Sequence, residues 1–230
     1  MSAGGTPIAA RGRIRQKRSQ KTYEALIATA FKLLEKREFD DISIAELTRK
    51  AGYSVGAFYA RFKSKDELFD AMVVSHMEDR RAARKKLFAV APDATLIREL
   101  MAETVNYYWA RRRFWRAALI RSIRDLDFWE PLRKLGHELA DMMIERIASR
   151  AKRRLTEAEQ TNVRFAVQLA LGTINNTIIN RPGPIFMEQA LFVDNLARAF
   201  RLVSGYDDLA VATPGAAKKA TKAVPTTFPS

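Results

Sequence analysis

Few residues in this chain are of a type that does covalent chemistry. There are two histidines, His76 and His137, and no cysteine, which removes thiolate nucleophiles, thiolate metal sites and disulfides together and leaves little for histidine catalysis. His137-Glu138-Leu139-Ala140-Asp141 opens like a metalloprotease helix, but Asp141 stands where the second metal-binding histidine belongs, so the segment reads as a surface pair. No phosphate-cradling glycine loop and no G-x-S-x-G turn occurs. The sequence therefore predicts neither an enzyme nor a cofactor. What the residues do offer is anion binding. Ser43, Ser54 and Ser64 are placed to cap helices, and Lys65 sits at the helix start after Ser64, where backbone N–H groups already favour negative charge. The net charge of +14 suits a polyanionic partner, because each neutralised phosphate releases counterions. Charge alone does not separate DNA from RNA or an acidic membrane.

Positioning those groups requires helices. Ser43 with Glu46 and Ser64 with Glu67 have capping-box form and predict helices from Ile44 and from Lys65. Ile44, Leu47 and Ala51 give the first helix an apolar side, Gly52 supplies the freedom for a sharp turn, and Ser54 caps a helix carrying Val55, Phe58, Tyr59 and Phe62. Helix, glycine turn, helix is the pattern of a helix-turn-helix, whose second helix can enter the DNA major groove; an ordinary pair of core helices has the same spacing. Upstream, from Ser19 to about Lys36, Tyr23, Leu26, Ile27, Ala30, Phe31 and Leu34 form one apolar stripe, expected to pack on Leu47, Phe58 and Phe62. The helix from Lys65 buries Leu68, Phe69, Met72, Val73 and Met77, then turns charged past Glu78 until Pro92 ends it.

Residues 51–69, AGYSVGAFYARFKSKDELF, resemble the signature of the tetracycline-repressor (TetR) family: an alanine-glycine turn, a small-residue recognition helix with an aromatic pair, then Phe, Lys, Ser, Lys, acid, Leu. The similarity covers roughly Ser19 to Val74. It implies a regulator that binds a double-stranded DNA operator, forms a homodimer and answers to a small-molecule effector, most simply a repressor released by an apolar or amphipathic molecule. It also implies residue roles. Tyr53, Val55, Gly56 and Ala57 would face the bases, with Gly56 allowing close approach and Val55 and Ala57 reaching thymine methyls. Ser43, Ser54, Tyr59 and Lys65 match positions that hold phosphates. Arg61 departs from the histidine often found there and adds a candidate phosphate contact, and Thr48 and Arg49 complete the DNA-binding set. Two rival readings stay open: a non-specific DNA-coating protein, and a non-DNA binding module that keeps the motif as scaffold.

Hydrophobic residues at 47% and charged residues at 29% give a globular balance. No apolar run approaches the roughly eighteen residues of a membrane span, and the basic N-terminus has no signal-peptide core, so no membrane association and a cytoplasmic location are expected. The fold class expected is all-α, with an N-terminal three-helix helix-turn-helix domain followed by a larger helical ligand-binding and dimerisation domain. The boundaries are a disordered basic arm at 1–18, the DNA-binding domain at 19–77, the second domain at 78–206 and a disordered tail at 207–230. The arm, with Arg11, Arg13, Arg15, Lys17 and Arg18, reads equally as a DNA tether or a solvated tail.

In the second domain, helices are expected over Thr95–Arg111, Arg113–Arg124, Phe128–Arg153, Glu157–Asn180 and Phe186–Ser204, with Pro131 in the first turn of its helix, a third capping box at Thr156 and Glu159, and a break at Arg181 to Pro184. Met101, Tyr108, Trp109, Phe114, Trp115, Phe128, Trp129 and Met142 are the candidate effector pocket; such residues also fill ordinary helical cores, and the family resemblance is what favours a pocket. The helix from Glu157 is apolar on two sides, its second stripe being Phe165, Leu169, Gly172 and Ile179, and the next helix adds Phe192, Leu196 and Phe200. A monomer could bury all of these. The resemblance implies instead that both helices pair with their symmetry mates, setting two reading heads about one DNA turn, or a multiple of it, apart on a palindrome.

Overall fold

The computed structural model describes residues 8–210, with side chains over 19–209, and every regular element among them is helical. In chain order these are α1 (Ile8–Leu34), α2 (Ile44–Ala51), α3 (Val55–Tyr59), α4 (Lys65–Val90), α5 (Asp93–Ala110), α6 (Arg112–Arg124), α7 (Leu126–Ala151), α8 (Glu157–Asn180) and α9 (Ala190–Ser204), followed by a 3-10 turn at Asp208–Ala210.

The helix starts follow from the side chains that cap them. Ser43, Ser54 and Ser64 accept hydrogen bonds from the backbone N–H groups of Glu46, Ala57 and Glu67, each at 3.1 Å. The returning halves of the first two boxes are not made. Glu46 turns to Arg37 and Lys50, because a charge-assisted partner outcompetes a neutral N–H, and Glu67 accepts from the N–H of Lys63 at 2.5 Å, one residue short of Ser64. Thr156 and Glu159 do close both halves. Between α2 and α3, Gly52 takes φ 78°, a left-handed conformation that a side chain would strain.

Several boundaries differ from those the sequence predicts. The first helix begins at Ile8, so the backbone of 8–18 is helical where a disordered arm was expected; the Ala, Arg, Gln and Lys of this stretch are good helix formers, opposed only by Gly12. Residues 1–7, and the expected tail beyond 210, lie outside the described residues. At the other end Tyr206 is buried, its hydroxyl donating to the Asp93 carbonyl at 2.9 Å, and order continues past 206, where a disordered tail was expected, through the 3-10 turn with Leu209 buried. α7 starts at Leu126, where Asp125 accepts from the Phe128 N–H at 3.1 Å, and Pro131 therefore lies beyond the first turn. α9 starts later than Phe186, whose N–H is taken by the Gln189 side chain at 3.0 Å.

The N-terminal helices close on themselves through aromatic packing. Tyr23 stacks on Phe62 with centroids 5.2 Å apart, and Phe58 lies 5.4 Å from Phe62. The core then continues without a break into the body: Phe114 meets both Phe31 at 5.1 Å and Phe69 at 5.2 Å. Ion pairs flank this seam, Arg113 and Arg116 to Glu38 at 3.3 and 3.4 Å and Arg121 to Asp70 at 2.9 Å. Solvent-exposed pairs contribute about 0–1 kcal/mol each, so the buried rings dominate the junction. Beyond the seam, α8 packs between α7 and α9, and α9 also packs on α5.

Along α4 the buried face changes character. Met72 is followed at every fourth position by His76, Arg80 and Arg84, all buried. Arg80 makes a two-point ion pair with Glu103 on α5 and covers the Tyr107 ring at 4.6 Å. Arg84 instead donates to the Leu135 carbonyl on α7 at 2.7 Å.

Candidate nucleic-acid interface and effector cavity

α3 is a helix of five residues, anchored inward by Phe58 and presenting Ser54, Val55, Gly56 and Tyr59 to the outside. Tyr53 and Ala57 flank them, half-buried. A Cβ at Gly56 would meet only the Ser54 Oγ at 3.8 Å, so nothing in the described fold forbids a side chain there. The outward face is small and mildly apolar, the shape of a surface that lets a second backbone approach.

The expected phosphate-binding set separates into groups that are available and groups already employed. Ser43 and Ser54 use their oxygens as caps and keep a hydroxyl hydrogen to donate, and Arg49 and Tyr59 are exposed. Thr48 is not available: it is buried, and its hydroxyl donates to the Ile44 carbonyl at 2.9 Å, with Ala45 at 3.2 Å. In a helix a threonine back-bonds in this way when its side chain faces the preceding turn. Arg61 is partly spent holding α3 to α1, with Nε on the Ser19 carbonyl at 3.2 Å and Nη1 on the Ala60 carbonyl at 3.0 Å. Lys65 leans on the loop after α1, its Nζ 3.1 Å from the Asp40 carbonyl and 4.6 Å over the Phe39 ring. Partial burial lowers its pKa, against the opposing pull of Asp40, Asp41 and Asp66. That leaves donors on the ammonium beyond the one directed at Asp40.

In the body, a cavity of about 590 Å³ opens between α4, α5, α6, α7 and α8. Three of the predicted pocket residues line it: Tyr108, Trp115 and Trp129. Five do not. Phe114 and Phe128 belong to the seam with the N-terminal helices, on Phe69 at 5.2 and 6.0 Å; Met101 is buried on α5; Trp109 is covered by Arg112 and Arg181 at 4.5 and 5.8 Å; and Met142 is half-buried on α7 away from the lining. Composition counts large side chains without saying which way each turns. The polar part of the lining escaped the sequence reading: Arg84, Arg133, His137, Arg164, Gln168 and Asn175. Asn175 accepts from the Trp115 indole at 2.6 Å. The signal for Arg84 was its spacing, four residues on from Arg80 and eight from His76, concealed inside the charged run past Glu78.

On α8 the second apolar stripe is outside, as expected: Phe165 is 52% exposed, Ile179 and Gly172 are exposed, and Leu169 is half-buried. On α9 the expectation is corrected. Phe192, Leu196 and Phe200 are buried, Phe200 completely, because that i, i+4, i+8 row is the one turned onto α8 and α5. The apolar residues of α9 that reach solvent are Leu191 and Leu202, the latter 75% exposed.

Among the described residues no helix is long and apolar enough to cross a membrane, and no group of three or more His, Cys, Asp or Glu could hold a metal ion. Residues 26–72 match the model of the bacterial regulatory proteins of the tetR family. An uncharacterized HTH-type transcriptional regulator of Bacillus subtilis (strain 168), YwcC, is 35% identical over 72 residues, which cover 31% of this chain and 30% of that protein. The chain thus spans less than a third of that relative's length. The whole fold is similar to a crystal structure of a tetR-family transcriptional regulator from Streptomyces coelicolor, with a TM-score of 0.59 and 20% identity over 82% of this chain and 84% of that one. It is likewise similar to Salmonella enterica GusR, with a TM-score of 0.58 and 16% identity over 80% and 95% of the two chains.

Proposed function

We propose that this chain, whose residues 26–72 match the model of the bacterial regulatory proteins of the tetR family, is a homodimeric, sequence-specific repressor of transcription, released from a palindromic operator when a small amphipathic molecule enters the body. The observation that carries this reading is α3 itself. Its inner residue Phe58 is fully buried, while Gly56 stands on the outer face where the fold leaves room for a side chain. A glycine that packing does not demand suits a surface where another molecule comes close. Tyr53, Val55, Gly56 and Ala57 face the bases in this reading; Ser43, Arg49, Ser54, Tyr59 and Lys65 hold phosphates, which fix register without reading sequence.

Residues 19–77 serve as the reading head and 78–206 as the sensing and pairing body. α4 is common to both, so a tilt set in the body is delivered to the head. The exposed apolar residues Phe165, Ile179, Leu191 and Leu202 supply the face on which a second copy packs, which gives two heads a two-fold relation. The chain works without catalysis, in the cytoplasm with its operator.

Selection of bound fragments from random duplexes tests this directly. A palindrome with half-sites about one helical turn, or a multiple of it, apart is expected; equal recovery of all sequences would replace the reading with a non-specific DNA-coating protein. Lys65→Ala should weaken binding to every duplex and flatten the salt dependence by about one unit of slope, and an unchanged slope would remove Lys65 from the interface.

A further inference from the structure

We infer that the cavity between α4, α5, α6, α7 and α8 binds an amphipathic organic acid, its apolar body against Trp115 and Trp129 and its acid group on Arg84, so that the effector engages the head-bearing helix directly. This rests on the proposed function only for its consequence, the release of DNA. The binding itself is argued from the cavity.

Arg84 is the starting point. It lines the cavity and is 2% exposed. Its Nη1 donates to the Leu135 carbonyl at 2.7 Å, its Nε has no hydrogen-bond partner, and no carboxylate stands within ion-pair distance among the described residues. Arg80, one turn earlier and equally buried, has its charge met by Glu103. The two carboxylates whose fields reach Arg84, Glu103 and Glu138, are bound to Arg80 and Arg81. Burial lowers the Arg84 pKa to about 10, which still leaves a cation at neutral pH. A buried guanidinium with an unused N–H and no counter-ion is a site short of one negative charge.

The remaining lining decides what carries that charge. No Asp or Glu lines the cavity, so a cationic ligand would meet Arg84, Arg133 and Arg164 with nothing to neutralise it. Arg133 and Arg164 already pair with Glu130 and Asp141; they draw an anion inward without needing it, and Arg84 is the cation left to receive it. Tyr108, Trp115, Trp129, Leu132 and Leu171 supply apolar walls, and about 590 Å³ falls within the range of small-molecule sites, roughly 300–1,000 Å³. An acid bound here competes with the Leu135 carbonyl for the guanidinium, which loosens one of the links between α4 and α7, the others being Arg81 to Glu138 and Arg146 to the Phe88 carbonyl.

Two fluorescent probes share one apolar body and differ in charge: the anion 8-anilinonaphthalene-1-sulfonate and the neutral N-phenyl-1-naphthylamine. Titrated into the full chain, the anion is expected to bind at least tenfold tighter than the neutral probe. In Arg84→Met the anion should lose at least tenfold while the neutral probe is retained. A neutral probe that binds the unaltered chain as tightly as the anion overturns the inference, whether or not the variant folds. So does a folded Arg84→Met protein with undiminished affinity for the anion. Because neither titration contains DNA, charge discrimination in a chain that selects no duplex would sink the regulatory reading alone, and duplex selection without charge discrimination would sink only this one.

Discussion

Mild acid should destabilise this fold in large part through one buried side chain, His76. His76 is 1% exposed, and neither ring nitrogen has a hydrogen-bond partner among the described residues. The ring stacks on Trp115 at 5.0 Å, touches Tyr107, Tyr108 and Phe114, and lies in the field of Arg80, Arg111 and Arg84. Burial first, and those cations next, lower its pKa to about 3. The folded value lies below the unfolded one, about 6.5, so the unfolded chain takes up a proton that the folded chain refuses. The stabilisation is complete above pH 6.5 or so and declines as the pH falls toward the folded value.

Between about pH 7.5 and about pH 5 the unfolded imidazole gains roughly 2 kcal/mol from protonation, while the folded imidazole, still neutral, gains almost nothing. Any folded pKa below about 4 gives nearly the same figure. Urea unfolding of the native chain and of His76→Phe, at both pH values and one protein concentration, isolates the effect. The native chain should lose about 2 kcal/mol more than the variant, since carboxylates and His137 are common to both. At the higher pH the variant should be at least as stable, because phenylalanine fills an aromatic site without two polar atoms that lack partners. Equal acid sensitivity in the two proteins would refute the argument, for His76 would then be protonating in place.

Two further perturbations address the remaining surfaces. Phe165→Glu places a carboxylate in the exposed stripe of α8; sedimentation should show a shift from dimer to monomer at unchanged helical content, and an intact dimer would move the pairing face elsewhere. Phe114→Ala empties a fully buried position shared by Phe31 and Phe69. Such truncations cost about 3–5 kcal/mol, which at about 2–4 °C per kcal/mol lowers the melting temperature by roughly 6–20 °C; a change under about 1 kcal/mol would deny the ring its place in the seam.

Capping is where residue types alone were sufficient. Ser43, Ser54, Ser64 and Thr156 each accept the N–H expected of them, because a cap is a local bond between neighbours in the chain. Orientation across the body is not local, and there the reading failed in two ways. Phe192, Leu196 and Phe200 form the strongest apolar row on α9, and the strongest row went to the interior; what α9 shows outside is Leu191 and Leu202, set among Asp194 and Arg198. Phe114 and Phe128 were grouped with Trp115 and Trp129 by proximity in sequence. One step along each helix, a rotation of about 100°, sent one pair to the seam and the other to the cavity. Arg84 went unassigned inside the charged run past Glu78, although its spacing from Met72 through His76 and Arg80 argued for the core.

The salt links of α6 give the junction a mechanical property. The head is joined to the body covalently by α4, and again by Arg113 and Arg116 on Glu38 and Arg121 on Asp70. Two rigid members fastened by one strut swing freely; fastened by two, they form a linkage whose motion is restricted to a narrow path. The second strut is chiefly the packed rings of Phe31, Phe69 and Phe114, and only the partly exposed ion pairs that flank them slacken as ionic strength rises. Salt therefore loosens this linkage at its ionic margin while the ring contacts, which salt does not screen, keep the N-terminal helices and the body in register.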